Sequence, residues 1–374
     1  MAAIEVRRVT GEKEREALFA FRYSIYVSEL SMTEEADHER RILSDAYDEI
    51  AVNYAVFEDG EVVGSLRIIP MDAVEDLEPF RGNYTMGPAL DTFGPGAVVT
   101  SGRFMVAKHL RRSLAILRLI RLSFEEGVTH GIRFNFGDCS PHLLGFYEQL
   151  GYRRFTDGYN DTAYGYKLPI VMITGDLDYL CRVRSPLRAV VPEDQDDAEA
   201  REWFARTYPD YVDLETAIFM RGEAFFELLS ERLADDPLHR VAIFRNLDQS
   251  EAERAANRAT VVKLKPGSKV VRAGDLDNTL YAVLAGIVEV RLAGDRGPPL
   301  AVFGVGDIFG EIGFLTRTPR TADVVARTDA EILVLSGDAL ERLMREEPTI
   351  AAKILRNIAE ELARRLSVTS SSAQ

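Results

Sequence analysis

Residues 309–324 read FGEIGFLTRTPRTADV, and this stretch decides how the second half of the chain is interpreted. Gly310 permits a close backbone approach, and Ile312 stands where a short helix would begin, with free N–H groups that attract an anion. Arg320 supplies a planar fork for phosphate oxygens, and Glu311 an acceptor for a sugar hydroxyl. In isolation these two charges would be interpreted as a surface ion pair worth about 0–1 kcal/mol. In their surroundings they predict a site for the phosphate and ribose of a small nucleotide.

Those surroundings are short strands separated by glycine turns, which suit a small jelly-roll barrel. The predicted strands cover residues 270–271, 280–284, 287–292, 300–303 and 331–335. The turn glycines stand at positions 267, 274, 286, 294, 297 and 306. Two flanking helices are predicted after the barrel, at 337–345 and 349–366.

Residues 238–367 resemble the cyclic nucleotide-binding domain of bacterial regulators, cyclic-nucleotide-dependent kinases and gated channels. The matching motifs are PG at 266–267, GD at 274–275, GIVEV at 286–290, GDIFGE at 306–311 and PRTA at 319–322. The resemblance implies that Arg320 binds the phosphate, Glu311 the 2'-hydroxyl, and Thr321 a phosphate oxygen or the purine edge. Threonine at this position occurs in receptors for cAMP and for cGMP, so both ligands stay open.

The second of these helices carries an apolar residue at every fourth position, a pattern typical of one buried face. The stripe consists of Ile350, Ile354, Ile358, Leu362 and Leu366. It would pack into the core, cover the base of a bound nucleotide, or form the seam of a homodimer, and the sequence does not choose. Residues 368–374 predict a disordered tail, and we expect no DNA-binding helix-turn-helix after the barrel.

Composition restricts the compartment and the partners. The chain of 374 residues has 60 acidic and 45 basic residues and a net charge of −15, which disfavours binding to nucleic acid or to an anionic membrane. Its 2 cysteines indicate a reducing compartment. There is no run of about 18 apolar residues and no signal-like segment. We therefore expect a cytoplasmic protein of two or three domains, without stable membrane insertion and without a metal.

The N-terminal half alternates strands and helices, which predicts a mixed αβα sandwich and an α+β chain overall. Strands are predicted at 51–57, 62–70, 103–107 and 131–138, and helices at 113–126 and 141–150. The last helix should end at Gly151, a typical C-terminal cap.

The segment FYEQLGYRRF at 146–155 resembles the closing segment of GNAT acyltransferases. In that family an amine attacks a thioester held against splayed central strands, a backbone N–H polarises the carbonyl, and a tyrosine protonates the leaving thiolate. The resemblance implies that Tyr147 is this tyrosine. Without the motif, Tyr147 would be interpreted as a packing aromatic beside Phe146.

The predicted phosphate loop departs from the GNAT pattern. Ordinary members hold the CoA pyrophosphate in a glycine-containing loop, whereas residues 108–113 read KHLRRS, without a glycine. Lys108, Arg111 and Arg112 could still hold one phosphate, as on a phosphopantetheine arm, and would suit an acidic acyl carrier protein. A solvated basic turn is an equally good interpretation.

Residues 5–187 also resemble two branches that use acyl carrier protein thioesters, the acyl-homoserine-lactone synthases and the long-chain N-acyl amino acid synthases. The similar segments are 21–27, 45–48, 64–70 and 103–104, and the segment 163–173 is more like the amino acid branch. The resemblance implies a pocket for the amine substrate shaped by Arg22, Asp45, Asp48, Arg67 and Arg103.

Two details of that pocket bear on the reaction. Thr100 stands where lactone synthases carry a glutamate, three residues before Arg103, which counts against lactone synthesis. The amine must lose a proton, and no pattern in the sequence identifies a base by itself; Asp45, acting through a water molecule, is the candidate.

The sequence predicts an N-acyltransferase domain at 1–187, an acidic linker with a connecting helix at 188–237, a nucleotide-binding domain at 238–367 and a tail at 368–374. The connecting helix, 215–233, is a mechanical link or a plain spacer. The predicted function is cyclic-nucleotide-regulated transfer of a long acyl chain from an acyl carrier protein or CoA thioester to an amino acid or related amine. The alternatives are a lysine acetyltransferase that uses acetyl-CoA and a sensor without catalysis.

Overall fold

The computed structural model describes residues 3–29, 36–82, 85–111, 113–161, 164–211, 237–294 and 298–372. These residues form two compact units. The first contains the described parts of 1–139, 146–156 and 168–212, and the second those of 140–145, 157–167 and 213–374. The predicted connecting helix at 215–233 lies outside the described residues.

The N-terminal half is built on one twisted, mixed sheet with the strand order β1-β2-β3-β4-β5-β8-β6, and β7 pairs with β8. The ladder between β4 and β5 is parallel, and the other ladders of this sheet are antiparallel. The strands are β1 Ile4–Arg8, β2 Val52–Glu58, β3 Glu61–Pro70, β4 Val98–Val106, β5 Phe134–Cys139, β6 Arg153–Arg154, β7 Tyr159–Asp161 and β8 Gly165–Ile173.

Helices cover both faces of this sheet, as the amphipathic patterns of the sequence predict. They are α1 Glu12–Tyr23, α2 Glu78–Gly82, α3 Gly87–Phe93, α4 Leu114–Thr129, α5 Leu144–Leu150, α6 Leu177–Arg182 and α7 Ala198–Thr207, with a short 3₁₀ helix at Ala46–Glu49. Leu119 of α4 packs with Tyr54 on one face, and Trp203 of α7 packs with Phe134 on the other. The predicted sandwich is confirmed.

The parallel ladder in the centre of the sheet is short. Val98, Val99 and Thr100 of β4 pair with β5, and the ladder ends at Thr100. Beyond this residue β4 continues for six residues, to Val106, without a β5 partner. The central strands therefore separate, as the GNAT resemblance implied.

The second unit contains two antiparallel four-stranded sheets, β10-β15-β12-β13 and β14-β11-β16-β9. This arrangement confirms the predicted β jelly roll. The strands are β9 Thr260–Leu264, β10 Lys269–Val271, β11 Thr279–Ala285, β12 Val288–Arg291, β13 Ala301–Phe303, β14 Ile308–Phe309, β15 Asp323–Ala326 and β16 Ala330–Ser336.

The helices of this unit are α8 Pro237–Arg240, α9 Gln249–Ala256, α10 Glu311–Thr316, α11 Gly337–Glu346 and α12 Pro348–Ser372. The apolar stripe of α12 is core at its beginning, because Ile350, Ile354 and Ile358 are at most 2% exposed, whereas Leu366 is 68% exposed. Helix α12 continues to Ser372, into the segment 368–374 where the sequence predicts a disordered tail, and that tail stays a prediction. In the described part of the chain, no helix combines the length and apolar composition that crossing a bilayer requires.

Two short segments of the predicted acyltransferase domain, 140–145 and 157–167, belong to the second unit. Within that unit, Asn160 completes the turn between β9 and β10. Its side-chain amide donates to the carbonyl of Gly267 at 3.1 Å, and its side-chain oxygen accepts from the amide of Lys269 at 2.8 Å. The predicted domain boundary at residue 187 does not include these two segments in the second domain.

Candidate functional site

The predicted nucleotide cassette begins at Gly310, whose φ of 80° is in the left-handed region. A Cβ atom at this position would lie 2.8 Å from Nη1 of Arg320 and 2.9 Å from the carbonyl oxygen of Thr279, so only glycine fits without a shift. The first hydrogen bond of α10 runs from the amide of Phe314 to the carbonyl of Gly310, 3.0 Å. The amides of residues 311–313, including that of Ile312, precede it and are available to an anion.

Arg320 lies beneath this turn and is only 5% exposed. Its Nη1 donates to the carbonyl of Gly310 and its Nη2 to that of Thr279, both at 2.7 Å. Its Nη2 and Nε also donate to Oδ2 of Asp277, at 2.8 and 3.1 Å. A phosphate that binds this guanidinium therefore competes with Asp277, a residue that the sequence analysis missed. The one indication of this role in the sequence is the position of Asp277 just before strand β11.

Glu311, the predicted ribose acceptor, is buried and bound by a residue of the last helix. Nη1 of Arg365 in α12 donates to Glu311 at 3.1 Å, and its Nη2 donates to the carbonyl of Ile308 at 2.6 Å. The distance of 54 residues along the chain hid this pair from sequence analysis. Thr321 follows Arg320 and is exposed. The structure thus assembles the predicted residues around one turn and adds Asp277 and Arg365.

Tyr147 of α5 lies among aromatic rings. Its ring centroid is 5.5 Å from that of Phe146 and 5.4 Å from that of Tyr152, both in edge-to-face geometry. Burial raises the pKa of Tyr147 well above its ordinary value, and the neighbouring Cys139 thiol adds to this. A phenol that stays neutral at physiological pH can donate a proton, which is the role that the sequence predicts.

Tyr152 links this helix to β4. Its hydroxyl lies 3.1 Å from Oγ of Ser101, the first residue of β4 after the ladder with β5 ends. Burial raises the pKa of Tyr152 to about 12, against an opposing contribution from the hydrogen bond with Ser101. Sequence analysis named neither residue, although Tyr152 stands within the motif that identified Tyr147.

Asp45 connects β3 to β4 through two arginines. Its Oδ1 accepts from Nη1 of Arg67 at 2.7 Å and its Oδ2 from Nη2 of Arg103 at 3.0 Å. Burial by itself would raise the pKa of Asp45, but the two guanidiniums outweigh it and the pKa is lowered. A carboxylate with a lowered pKa is a poor proton acceptor. The ion pairs therefore favour a role in holding the pocket over the predicted role of base.

Arg22 and Asp48 form the buried end of the same network. Arg22 is 0% exposed and donates to Asp48 at 2.7 Å, to Asn53 at 2.5 Å and to Ser65 at 3.0 Å. Asp48 also lies 3.2 Å from Arg67. Because partners surround the whole guanidinium of Arg22, the structure favours a structural role for it over the predicted contact with substrate.

Replacing Arg22 with lysine should lower the free energy of unfolding by about 2 kcal/mol, because an ammonium cannot reach three separated acceptors at once. Urea denaturation of the purified protein measures this. The matched control is Arg15→Lys on the same helix, a partly exposed residue that pairs with Glu49 and should change stability by under about 0.5 kcal/mol. Equal, small changes in both variants would contradict the structural role of Arg22.

Arg103 has a φ of 51°, in the left-handed region that residues with a Cβ seldom adopt. This conformation costs about 1–2 kcal/mol relative to a right-handed or extended one. Among the described residues, it is the one non-glycine residue within a strand that has a positive φ. Such strain persists where neighbours hold it, and it often marks functional sites.

Two domain families match the chain in the regions just described. The family described as "Acetyltransferase (GNAT) domain" matches residues 21–121, and the one described as "Cyclic nucleotide-binding domain" matches residues 261–347. The chain contains both domains. The GNAT domain includes the Asp45 network and the separated end of β4, and the nucleotide-binding domain includes the turn around Gly310 and Arg320.

Individual relatives each match about a third of the chain. Glutaminase 2 of Bradyrhizobium diazoefficiens is 38% identical over 125 residues, which are 33% of this chain and 20% of that protein. A cAMP-dependent protein kinase regulatory subunit of Colletotrichum orbiculare is 30% identical over 113 residues, 30% of this chain and 29% of that protein. The chain thus spans between a fifth and three tenths of the length of these curated relatives.

A solved structure, FeeM, an N-acyl amino acid synthase from uncultured soil microbes, also matches. It is 14% identical with a TM-score of 0.41, and the match covers 51% of this chain and all of that one.

The basic turn of the GNAT domain precedes α4. Lys108 and Arg111 are exposed, and Oγ of Ser113 caps the helix by accepting from the amide of Ala115 at 3.2 Å. Arg112 lies outside the described residues. Exposed cations before a capped helix terminus fit one phosphate group of an acyl donor. Binding of the donor at this turn remains a prediction.

Proposed function

We propose that this protein is an N-acyltransferase under cyclic nucleotide control, which transfers a long acyl chain from a carrier protein or CoA thioester to an amino acid or related amine. The observation that carries this proposal is the placement of Tyr147. A GNAT domain supports acyl transfer, and the same compact unit holds the half-buried phenol of Tyr147, whose pKa is raised, beside Tyr152, which bonds to β4 where the central strands separate.

The proposed reaction forms an amide bond and breaks a thioester bond. The amine nitrogen attacks the thioester carbon, while backbone N–H groups of β4 beyond Thr100 stabilise the charge on the carbonyl oxygen. As the C–S bond breaks, Tyr147 gives its proton to the thiolate. The proton lost by the amine passes to solvent, and Tyr147 regains one, so the products are an amide and a free thiol.

The proposed donor and acceptor are inferred from the charged residues of the first unit. Lys108 and Arg111 are exposed cations in a loop that lacks the usual glycines. This loop favours binding of one phosphate group and of an acidic carrier protein over binding of the CoA pyrophosphate. The guanidinium of Arg67 favours an acceptor that carries a carboxylate, such as an amino acid.

Control by a nucleotide rests on the second domain. Arg320, Glu311 and the turn at Gly310 supply groups for a phosphate, a 2'-hydroxyl and a close backbone approach. A kinase regulatory subunit among the relatives is named for cAMP, so cAMP is the first ligand to test and cGMP the second.

Intact mass spectrometry of lipid extracts tests the proposal. Cells that express the protein should contain a new acyl amide, absent from cells that express Tyr147→Phe, and its amount should change when the cAMP level is raised. Lysine acetylation is measured in parallel. A rise in acetylation without any acyl amide would favour a protein acetyltransferase, and no change in either would favour a sensor without catalysis.

A further inference from the structure

The strand β4 contains a β-bulge at Arg103. In the ladder with β3, Ser65 pairs with Met105 and Arg67 pairs with Gly102. A single residue of β3 between these pairs therefore faces both Arg103 and Phe104 of β4. A bulge of this kind re-aims the backbone and the side chains of the bulged strand.

The side chain of Arg103 is anchored away from solvent. It is 9% exposed, pairs with Asp45 at 3.0 Å, and its guanidinium carbon lies 5.4 Å from the ring centroid of Tyr26. Asp45 is itself fixed, because it caps the 3₁₀ helix at Ala46–Glu49 and its own amide donates to Asp48 at 3.0 Å. The anchor therefore belongs to a rigid element, and it opposes relaxation of the left-handed residue to an extended conformation.

The bulge lies where the sheet opens. The ladder between β4 and β5 ends at Thr100, and Ser101 next to it contacts Tyr152. Arg103 follows two residues later. The direction of the backbone N–H groups at this opening therefore depends on the conformation of Arg103.

We propose that Asp45 and Arg103 are positioning residues. The ion pair locks Arg103 in its left-handed conformation, and this conformation aims the β4 amides at the thioester carbonyl. The inference rests on the proposed acyl transfer, and it gives Arg103 a backbone role instead of direct contact between its guanidinium and the substrate.

Glycine and alanine at position 103 distinguish these roles. Both remove the guanidinium, but glycine adopts the left-handed conformation without penalty, whereas alanine retains the Cβ that opposes it. We expect kcat of Arg103→Gly to exceed that of Arg103→Ala by about tenfold, the rate equivalent of the conformational penalty. The KM for the donor should be similar in the two variants. The assay follows release of free thiol from palmitoyl-CoA and from palmitoyl carrier protein, with a mixture of the standard amino acids as acceptors.

A further variant, Asp45→Asn, tests the same inference even if Arg103→Ala does not fold. Asp45→Asn should lower kcat by about tenfold in the wild-type background, but much less in the Arg103→Gly background, where no left-handed side chain needs the anchor. Equal kcat in the glycine and alanine variants, or equal effects of Asp45→Asn in both backgrounds, would overturn the inference alone. A folded wild-type protein that transfers no acyl group to any acceptor would overturn the proposed function with it.

Discussion

Arg320→Ala should weaken cyclic nucleotide binding by about 100-fold or more. Two charge-assisted hydrogen bonds to a phosphate are worth about 1.5–3 kcal/mol each, and the alanine variant loses both. Arg320 is 5% exposed and its partners lie at 2.7 and 2.8 Å, so its guanidinium is held in place before a ligand binds. Competition with a fluorescent cAMP analogue, repeated with cGMP, measures the effect.

The matched control is Arg317→Ala in the same loop. Arg317 is 68% exposed and pairs with Glu341, so its removal should leave the affinity within about twofold. Because Arg320→Ala deprives Asp277 of its cation, Arg320→Lys is measured as well, and thermal unfolding checks that each variant folds. Unchanged binding in Arg320→Ala, or an equal loss of affinity in Arg317→Ala, would contradict the assignment of the nucleotide site to Arg320.

Tyr147→Phe should lower kcat by about 10²–10⁴-fold, the usual contribution of a positioned general acid. The substitution removes one hydroxyl and keeps the ring, so the contacts with Phe146 and Tyr152 remain. Thiol release from the palmitoyl donors measures kcat, and the KM for the donor should change little because the lost interaction acts in the transition state.

The pH dependence of the rate provides a second test of the role of Tyr147. A raised pKa keeps Tyr147 protonated as the pH rises, so the rate should increase as the amine substrate loses its proton and should show no decline up to about pH 9. Tyr152→Phe is the matched aromatic control, and it should cost less because its hydroxyl bonds to Ser101. A kcat that Tyr147→Phe leaves unchanged would rule out its role as the acid.

The nucleotide site was predictable because its chemistry is local. Gly310, Glu311 and Arg320 lie close together in the sequence, between positions 310 and 320, and only a glycine fits where a Cβ would meet Arg320. The two added residues were not predictable, because Asp277 and Arg365 reach the site from 43 and 54 residues away along the chain. The local sequence pattern therefore identifies the residues that would bind the ligand. The contacts that these residues make within the protein depend on tertiary packing.

In the acyltransferase half, sequence identified the residues more reliably than their roles. Arg22 and Asp45 were placed correctly in one cluster, since similar segments brought them together. Their roles depend on burial and pairing, because full burial favours a structural role for Arg22 and two guanidiniums lower the pKa of Asp45. The strain at Arg103 is a backbone property, and an arginine in a strand pattern gives no sign of it.

The hydrogen bonds of Asn160 limit how this chain could be taken apart. A polypeptide that starts at residue 188 would carry the whole barrel but not Asn160, and the carbonyl of Gly267 and the amide of Lys269 would have to turn to water. Replacing the barrel with that of another receptor would also break these hydrogen bonds, because Asn160 lies before residue 188 in the chain. The second unit thus includes residues from the first half of the sequence, so a barrel cut out at residue 188 would be incomplete.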